Sequence, residues 1–320
     1  MRNFRVTIHL HFFSTFHSKP TAVPGTMKSG DAVMFLSPML LETARAPFDS
    51  PDHIFEPKVD GHRLLYSRSE EGTSLYTRSG EDITGKYLEL LEGIEDDDIL
   101  LDGEVALTEP TSGRISIEAL NDRFRLEDDS AIQSAALARP VSLILFDILR
   151  YRGKDVRSLP LLRRKELLAD VRILNPQIMV MPYLEAHGSA LFEQIRERGM
   201  EGIVAKEKMS RYSVGRRARK WQKIINWTVM DVVITGYRKS RFGWQAAVPD
   251  GDGGFRPIGM IERGVHPAHK KAFYAVCRSI ESGSYRDMIH LEPRLRAKVR
   301  TLSLTRGGNL RDAEFIDWIA

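Results

Sequence analysis

Glu56-Pro57-Lys58-Val59-Asp60-Gly61-His62-Arg63 sets one lysine between two carboxylates, with the apolar pairs Ile54-Phe55 before it and Leu64-Leu65 after it. If Ile54 to Val59 is a strand, Glu56, Lys58 and Asp60 share one face, because alternate strand residues point the same way. Gly61 then permits a tight turn without a Cβ. Most lysines beside carboxylates are ordinary surface ion pairs. The sharper reading is a nucleophilic amine, since partial burial and cationic neighbours favour the neutral form that carries the attacking lone pair. The rest of the chain has to decide between the two.

A chain of 320 residues, 28% of them charged, has room for about two globular domains. No apolar run approaches the ~18–20 residues of a membrane span. The single cysteine, Cys277, excludes an internal disulfide and fits a reducing cytosol. It falls with Phe273, Val276 and Ile280 at helical spacing, so it reads as core packing. The net charge of +4 is unevenly spread, with eleven basic residues against two acids between 206 and 241. Such a run is usually a solvated face, but it is also what a polyanion-binding surface requires.

Residues 1–33 read as an N-terminal extension, disordered or translated from an upstream start codon, with the domain proper beginning near Met27 or Met34. Histidines 9, 11 and 17 interrupt its apolar part and argue against a signal peptide. From 34 to 227, strands are expected at Ile54–Val59, Arg63–Arg68, Ser74–Thr77, Ile99–Leu107, Val141–Ile148 and Gly202–Lys206. Helices are expected at Leu161–Val171, capped by Ser158, and at Ala190–Arg198, closed by Gly199. The mixture lacks a regular βαβ alternation and predicts an α+β domain. From 228 to 320 the texture becomes short strands, Val229–Tyr237, Trp244–Val248, Pro257–Ile261 and Lys298–Leu304, with a turn at Asp250–Gly254 and a helix over about His269–Ser282. An OB-fold β-barrel is the expectation there.

Four further stretches carry chemistry. Leu101-Asp102-Gly103-Glu104 ends one apolar stretch and places a carboxylate at the start of Val105–Leu107. Phe146-Asp147 closes the most apolar run, so the ring is placed to wall a pocket. Glu201-Gly202-Ile203-Val204-Ala205-Lys206 puts an acid and a base at the ends of a short strand. Arg216-Arg217-Ala218-Arg219-Lys220-Trp221-Gln222-Lys223 surrounds a tryptophan with cations. Each alone is ambiguous.

Together and in this order, the set resembles the covalent nucleotidyltransferases, and within them the ATP-dependent DNA ligases, most closely the ligase domain of bacterial non-homologous end-joining ligases. The resemblance runs over roughly 36–318 and is most specific at Lys58-Val59-Asp60-Gly61-His62-Arg63 and at Glu201–Lys206. It implies an adenylation domain, 34–227, followed by an OB-fold domain, 228–320. It implies that Lys58 attacks the α-phosphate of ATP and carries AMP, which passes to the 5′-phosphate of a break in duplex DNA before a 3′-hydroxyl expels it. By the same resemblance, Phe146 stacks on adenine, Glu56 sits at the adenine edge, and Glu104 with Arg63 holds the ribose. Lys223 and Lys206 complete the nucleotide contacts, and Glu201 with Asp60 serves a Mg2+ or Mn2+ ion, for which carboxylate oxygens are suited. Arg78, Arg216 and Arg217 are the implied DNA-phosphate contacts. The implied partners are nicked or broken duplex DNA, a Ku-like end-binding protein and a separate end-joining polymerase. The implied protein is a bacterial cytoplasmic monomer, nucleoid-associated when on DNA.

Two departures stand out. Where the family commonly has a second lysine after the tryptophan, this chain has Ile225, with Lys220 or Lys206 as the candidates to compensate. The C-terminal basic motif is reduced to Arg306 and Leu310-Arg311-Asp312-Ala313-Glu314-Phe315. The rival readings are an RNA ligase or GTP-using capping-type nucleotidyltransferase, and a non-catalytic nucleic-acid-binding module. Closure of the second domain over the first, hinged near Asn226–Asp231, is the expected motion.

Overall fold

The computed structural model describes residues 35–109 and 113–319, and the expected extension 1–33 lies outside them. Two sheets fill the region before residue 226. One orders its strands Leu40–Thr43, Arg217–Ile225, Gly202–Glu207, Ser50–Pro57 and Leu184–Ala186, antiparallel apart from the first pair. The other runs Gly72–Thr77, His62–Ser69, Ile99–Ala106, Ser142–Tyr151, with Ile178–Val180 added in parallel.

The two-residue period of the strands sorts their side chains between two cores. Leu65, Ile144 and Phe146 pack with Ile54 and Trp221 of the facing sheet. Leu64, Tyr66, Leu143 and Leu145 point the other way, against Leu120 of helix Ile117–Phe124 and Leu168 of helix Leu161–Ala169. A strand covered on both faces reads as a continuous apolar run, which is why Val141–Ile148 was legible as a strand. It extends to Tyr151, so Phe146-Asp147 lies inside it rather than closing it.

A third sheet follows. Phe255–Ile261, Trp244–Pro249 and Thr228–Arg238 lead to the long strand Met288–Thr301, whose other edge is shared by Glu281–Tyr285 and Glu314–Ile319. Helix Pro267–Val276 sets Phe273 beneath Trp244, at 4.7 Å between ring centroids, and buried Cys277 joins the same core. The fold is α+β, with an OB-type second part. Its barrel is not a continuous ring of strands, since only an isolated bridge between Arg263 and Glu314 spans the gap.

Several expected boundaries moved. The helix expected over His269–Ser282 ends at Val276 and gives way through a 3-10 turn to strand Glu281–Tyr285. Leu161–Ala169 has Pro160 at its N-cap instead of Ser158, and Gly188–Glu197 begins two residues early. The turn at Asp250–Gly254 stands where expected, with Asp250 Oδ1 accepting from the backbone of Asp252 and Gly254 at 3.0 and 2.8 Å. No helix among the described residues is long and apolar enough to cross a membrane.

Candidate active site

Lys58 follows strand Ser50–Pro57 and stays tied to its neighbour, its backbone N–H donating to Gly202 O at 2.8 Å. That bond places Lys58 beside Glu201, and the lysine Nζ donates to Glu201 Oε2 at 2.7 Å. Side-chain exposures of 20% and 9% leave the amine reachable and the carboxylate nearly covered. Burial raises the proton affinity of Glu201, and the charge of Lys58 opposes it.

Cross-strand register explains why the other predicted groups converge. Glu56 and Lys223 both pair with Val204, on either side of strand Gly202–Glu207, and Lys206 pairs with Ile54 and Trp221. Residues in register share a face. Hence Glu56, Lys58, Lys206, Trp221, Lys223 and Ile225 all belong to one side of the sheet. Ile225 is buried, while Lys220 falls on the opposite face and is exposed. Of the two lysines expected to compensate for Ile225, Lys206 alone is on the site face. The proton affinity of Lys223 is lowered, first by burial and then by Lys58.

The opposing sheet supplies Arg63, Glu104 and Phe146. Arg63 and Glu104 are cross-strand partners. Arg63 grips buried Asp102 with Nε at 2.5 Å and Nη2 at 2.6 Å, and Tyr212 donates to the same carboxylate at 2.6 Å. Burial opposes the guanidinium charge, but Asp102 more than restores it. Phe146 lies between cations, with Arg63 Cζ 4.5 Å and Lys206 Nζ 4.4 Å from its centroid. Burial pushes Glu104 up to about 7, against Lys58 and Arg63 and helped by Glu201 and Asp102. Glu56, Lys58, Phe146, Lys206 and Trp221 line a pocket of about 50 Å³.

A cleft of about 800 Å³ continues from Lys58, Arg63, Glu104 and Lys223 toward Arg78, Arg125 and Arg217. Arg78 and Arg217 therefore stand together on its walls. Arg216 is exposed and is not among the lining residues. Both oxygens of Asp60, one of the expected metal groups, accept from Arg311, at 2.7 and 3.0 Å. Gly61 earns its place through close approach, since a Cβ there would lie 2.1 Å from Val105 O. Among the described residues no three His, Cys, Asp or Glu side chains form a metal cluster.

Two contributors escaped the sequence reading. Arg164 is fully buried and bonds Asp147 through Nε at 2.8 Å and Nη2 at 2.9 Å, with further bonds to Leu159 O and Ser210 O. It fixes the strand residue next to Phe146. Lys165 meets Glu56 beside Lys206. Both sit in what reads as the polar face of an amphipathic helix, and nothing in the spacing marks them.

A family model described as an ATP dependent DNA ligase domain matches residues 38–224. The SPbeta prophage-derived DNA ligase-like protein LigB of Bacillus subtilis is 32% identical over 285 residues, covering 89% of this chain and 99% of that protein. The multifunctional non-homologous end joining DNA repair protein LigD of Mycobacterium tuberculosis is 29% identical over 302 residues, of which this chain spans 38% of the length. Among solved structures, mycobacterial DNA ligase D complexed with ATP and MES is similar with a TM-score of 0.54 and 26% identity, over 89% of this chain and 95% of that one.

Proposed function

The chain belongs to the ATP-dependent DNA ligase family, and on that premise we propose that it seals breaks in duplex DNA through a covalent adenylate on Lys58. The observation that carries this reading is the Lys58–Glu201 contact of 2.7 Å, where Lys58 lines both a small pocket walled by Phe146 and Trp221 and a cationic cleft. In the first step Lys58 Nζ gives up a proton and attacks the α-phosphate of ATP, the new P–N bond replacing the bond to pyrophosphate. The adenine occupies the pocket against Phe146, with Glu56 at its edge and Glu104 and Arg63 toward the ribose. The AMP then moves to a DNA 5′-phosphate, and a 3′-hydroxyl displaces it.

These steps all shift negative charge among phosphate oxygens, so positioned cations contribute most of the catalysis. Lys223 supplies one at the α-phosphate, and Arg78, Arg216 and Arg217 supply others along the DNA backbone. Glu201 offers hard oxygen donors that fit Mg2+ or Mn2+, and such an ion would neutralise phosphate charge when bound. Asp60, held by Arg311, is the further carboxylate that the family resemblance assigns to such an ion. We assign 34–227 to the adenylation domain and 228–320 to the OB domain. A role in bacterial end joining, with a Ku-like protein and a separate polymerase, is supported by the likeness to LigD.

Incubation with α-labelled ATP and Mg2+ should leave acid-labile label on the wild-type chain and none on Lys58→Ala. Absence of label on the wild type would refute the reaction. Ligation of nicked against blunt-ended DNA, with and without Ku, tests the setting. Stimulation confined to blunt ends is the result expected of an end-joining enzyme, and indifference to Ku would remove that assignment.

A further inference from the structure

The Tyr212 hydroxyl is held from two sides. It donates to Asp102 Oδ2 at 2.6 Å and accepts from the backbone N–H of Met39 at 2.9 Å. Burial and the neighbouring carboxylate keep the phenol protonated, so it serves as a donor. Its ring stands edge-on to Trp221, with 5.7 Å between centroids, and Trp221 walls the small pocket. Asp102 is fully buried, and its charge is already balanced by Arg63, which takes one oxygen with Nε and the other with Nη2. Neutralising the carboxylate therefore does not require Tyr212.

We propose that Tyr212 is a positioning residue for nucleotide binding, acting through Asp102 to fix the plane of the Arg63 guanidinium. This rests on the reading of the pocket as the nucleotide site. The terminal torsion of an aspartate is broad, so a paired Arg–Asp unit can still turn about it. A third donor on Oδ2 removes that freedom. The Met39 amide pins the hydroxyl from the other side, so the oxygen cannot follow a carboxylate that turns. Arg63 Cζ is thereby kept 4.5 Å from the Phe146 centroid. With Nε and Nη2 engaged by Asp102, Nη1 is the nitrogen left to a nucleotide that spans the small pocket and the cleft, both of which Arg63 lines. A binding group held in one orientation before the ligand arrives spares the cost of ordering it afterwards.

The test is the rate at which α-labelled ATP labels the full chain, followed against ATP concentration and below each variant's melting midpoint. Tyr212→Phe should raise the half-saturating ATP concentration by roughly fivefold to tenfold and lower the maximal rate much less. Tyr66→Phe removes another buried phenol, one whose side-chain partner is Thr73 at 3.3 Å, and should leave both quantities unchanged. Arg63→Lys loses the paired hold on Asp102, so adding Tyr212→Phe to it should bring little further rise. A lowered melting midpoint with an unchanged half-saturating concentration would mark Tyr212 as merely structural and overturn the proposal. Full additivity of the two substitutions would do the same. Asp102→Asn keeps the side-chain shape but weakens the grip on the guanidinium, and should shift the half-saturating concentration in the same direction. No shift there would overturn the proposal even if Tyr212→Phe failed to fold. A wild type that takes no label would instead remove the nucleotide site itself.

Discussion

Arg311 takes both carboxylate oxygens of Asp60, at 2.7 and 3.0 Å, across 251 residues of chain. The hairpin of Ser303–Leu304 and Leu310–Arg311 thereby reaches from the third sheet to the loop that carries the nucleophile. Charge-assisted paired bonds of this kind are among the stronger polar contacts. Arg311→Ala should therefore slow adenylation of Lys58 by about tenfold. Sealing of a nick that already bears a 5′-adenylate should fall by clearly less. Equal losses in the two assays would show that the contact does not serve the first step in particular.

A second contact from the same hairpin is more exposed. Arg306 Nη2 donates to Glu109 at 2.6 Å, and its backbone N–H donates to Glu118 at 2.9 Å. Exposed pairs are weak and screened by salt. Arg306→Ala should lower adenylation by less than about fivefold at low ionic strength. The difference from wild type should vanish at molar salt, and a defect that persisted there would mean the side chain acts by packing.

Gly61 cannot accept even a methyl group without movement of backbone, since its Cβ would meet Val105 O at 2.1 Å and Glu104 Cγ at 2.9 Å. Gly61→Ala should lower the thermal midpoint and adenylation together, at a stability cost of about 1–3 kcal/mol. A variant with wild-type melting would show that the loop has room to shift.

Arg164 and Asp147 are both fully buried and bonded to one another. Arg164→Met leaves an uncompensated carboxylate in the core, a change that costs about 3–5 kcal/mol. The urea midpoint should fall with little change in slope. A midpoint near that of the wild type would indicate that Asp147 finds another donor.

Burial pulls the folded pKa of Lys206 down to about 8, partly offset by Glu56 and deepened by Lys165. The unfolded chain keeps this proton up to the ordinary lysine range near 10.5. Between those values the unfolded state binds more protons than the folded one, so the Lys206 contribution to stability rises with pH. Below about 8 both states are protonated and the cost of the buried ammonium is carried in full. Stability of wild type minus that of Lys206→Met should become more positive from pH 7 to pH 10. A flat difference would show that the ammonium is better solvated than its surroundings suggest.

How much of this was legible depended on whether a residue's task left a local trace. Val141–Ile148 announced itself as a strand because burial on both faces demands an apolar run, whereas the strand expected over Ile54–Val59 runs from Ser50 to Pro57 and leaves Lys58 just past its end. Strand Arg217–Ile225 was not legible, since the exposed Arg217, Arg219 and Lys220 make it read as a solvated cationic run. The start of Met288–Thr301 was hidden by Pro293. Pairing with Thr228–Arg238 shifts register across that stretch, where a proline can be tolerated. Helices Ile117–Phe124 and Asp129–Ala138 did carry signals that went unread, the side-chain caps Ser116 and Asp128. Lys58, Glu104 and Glu201 stood out through motif context. The hold of Arg311 on Asp60 and of Lys165 on Glu56 is purely tertiary, and no local pattern could have shown either.

Strand Ser50–Pro57 lies between Gly202–Glu207 and Leu184–Ala186, so both its neighbours are made long after it. At synthesis rates of ~5–20 residues/s, the chain leading into Lys58 waits roughly 8–30 s on the ribosome for its second partner. The sheet that starts at His62 can close from nearby sequence meanwhile. Stalled nascent chains ending before 184 should therefore resist protease over 62–151 while remaining cleavable around Ile54-Phe55. Early protection of that segment would show another partner shielding it. The strand leading to the nucleophile thus shares with Leu40–Thr43, whose neighbour Arg217–Ile225 is made later still, the need for shelter from aggregation during birth.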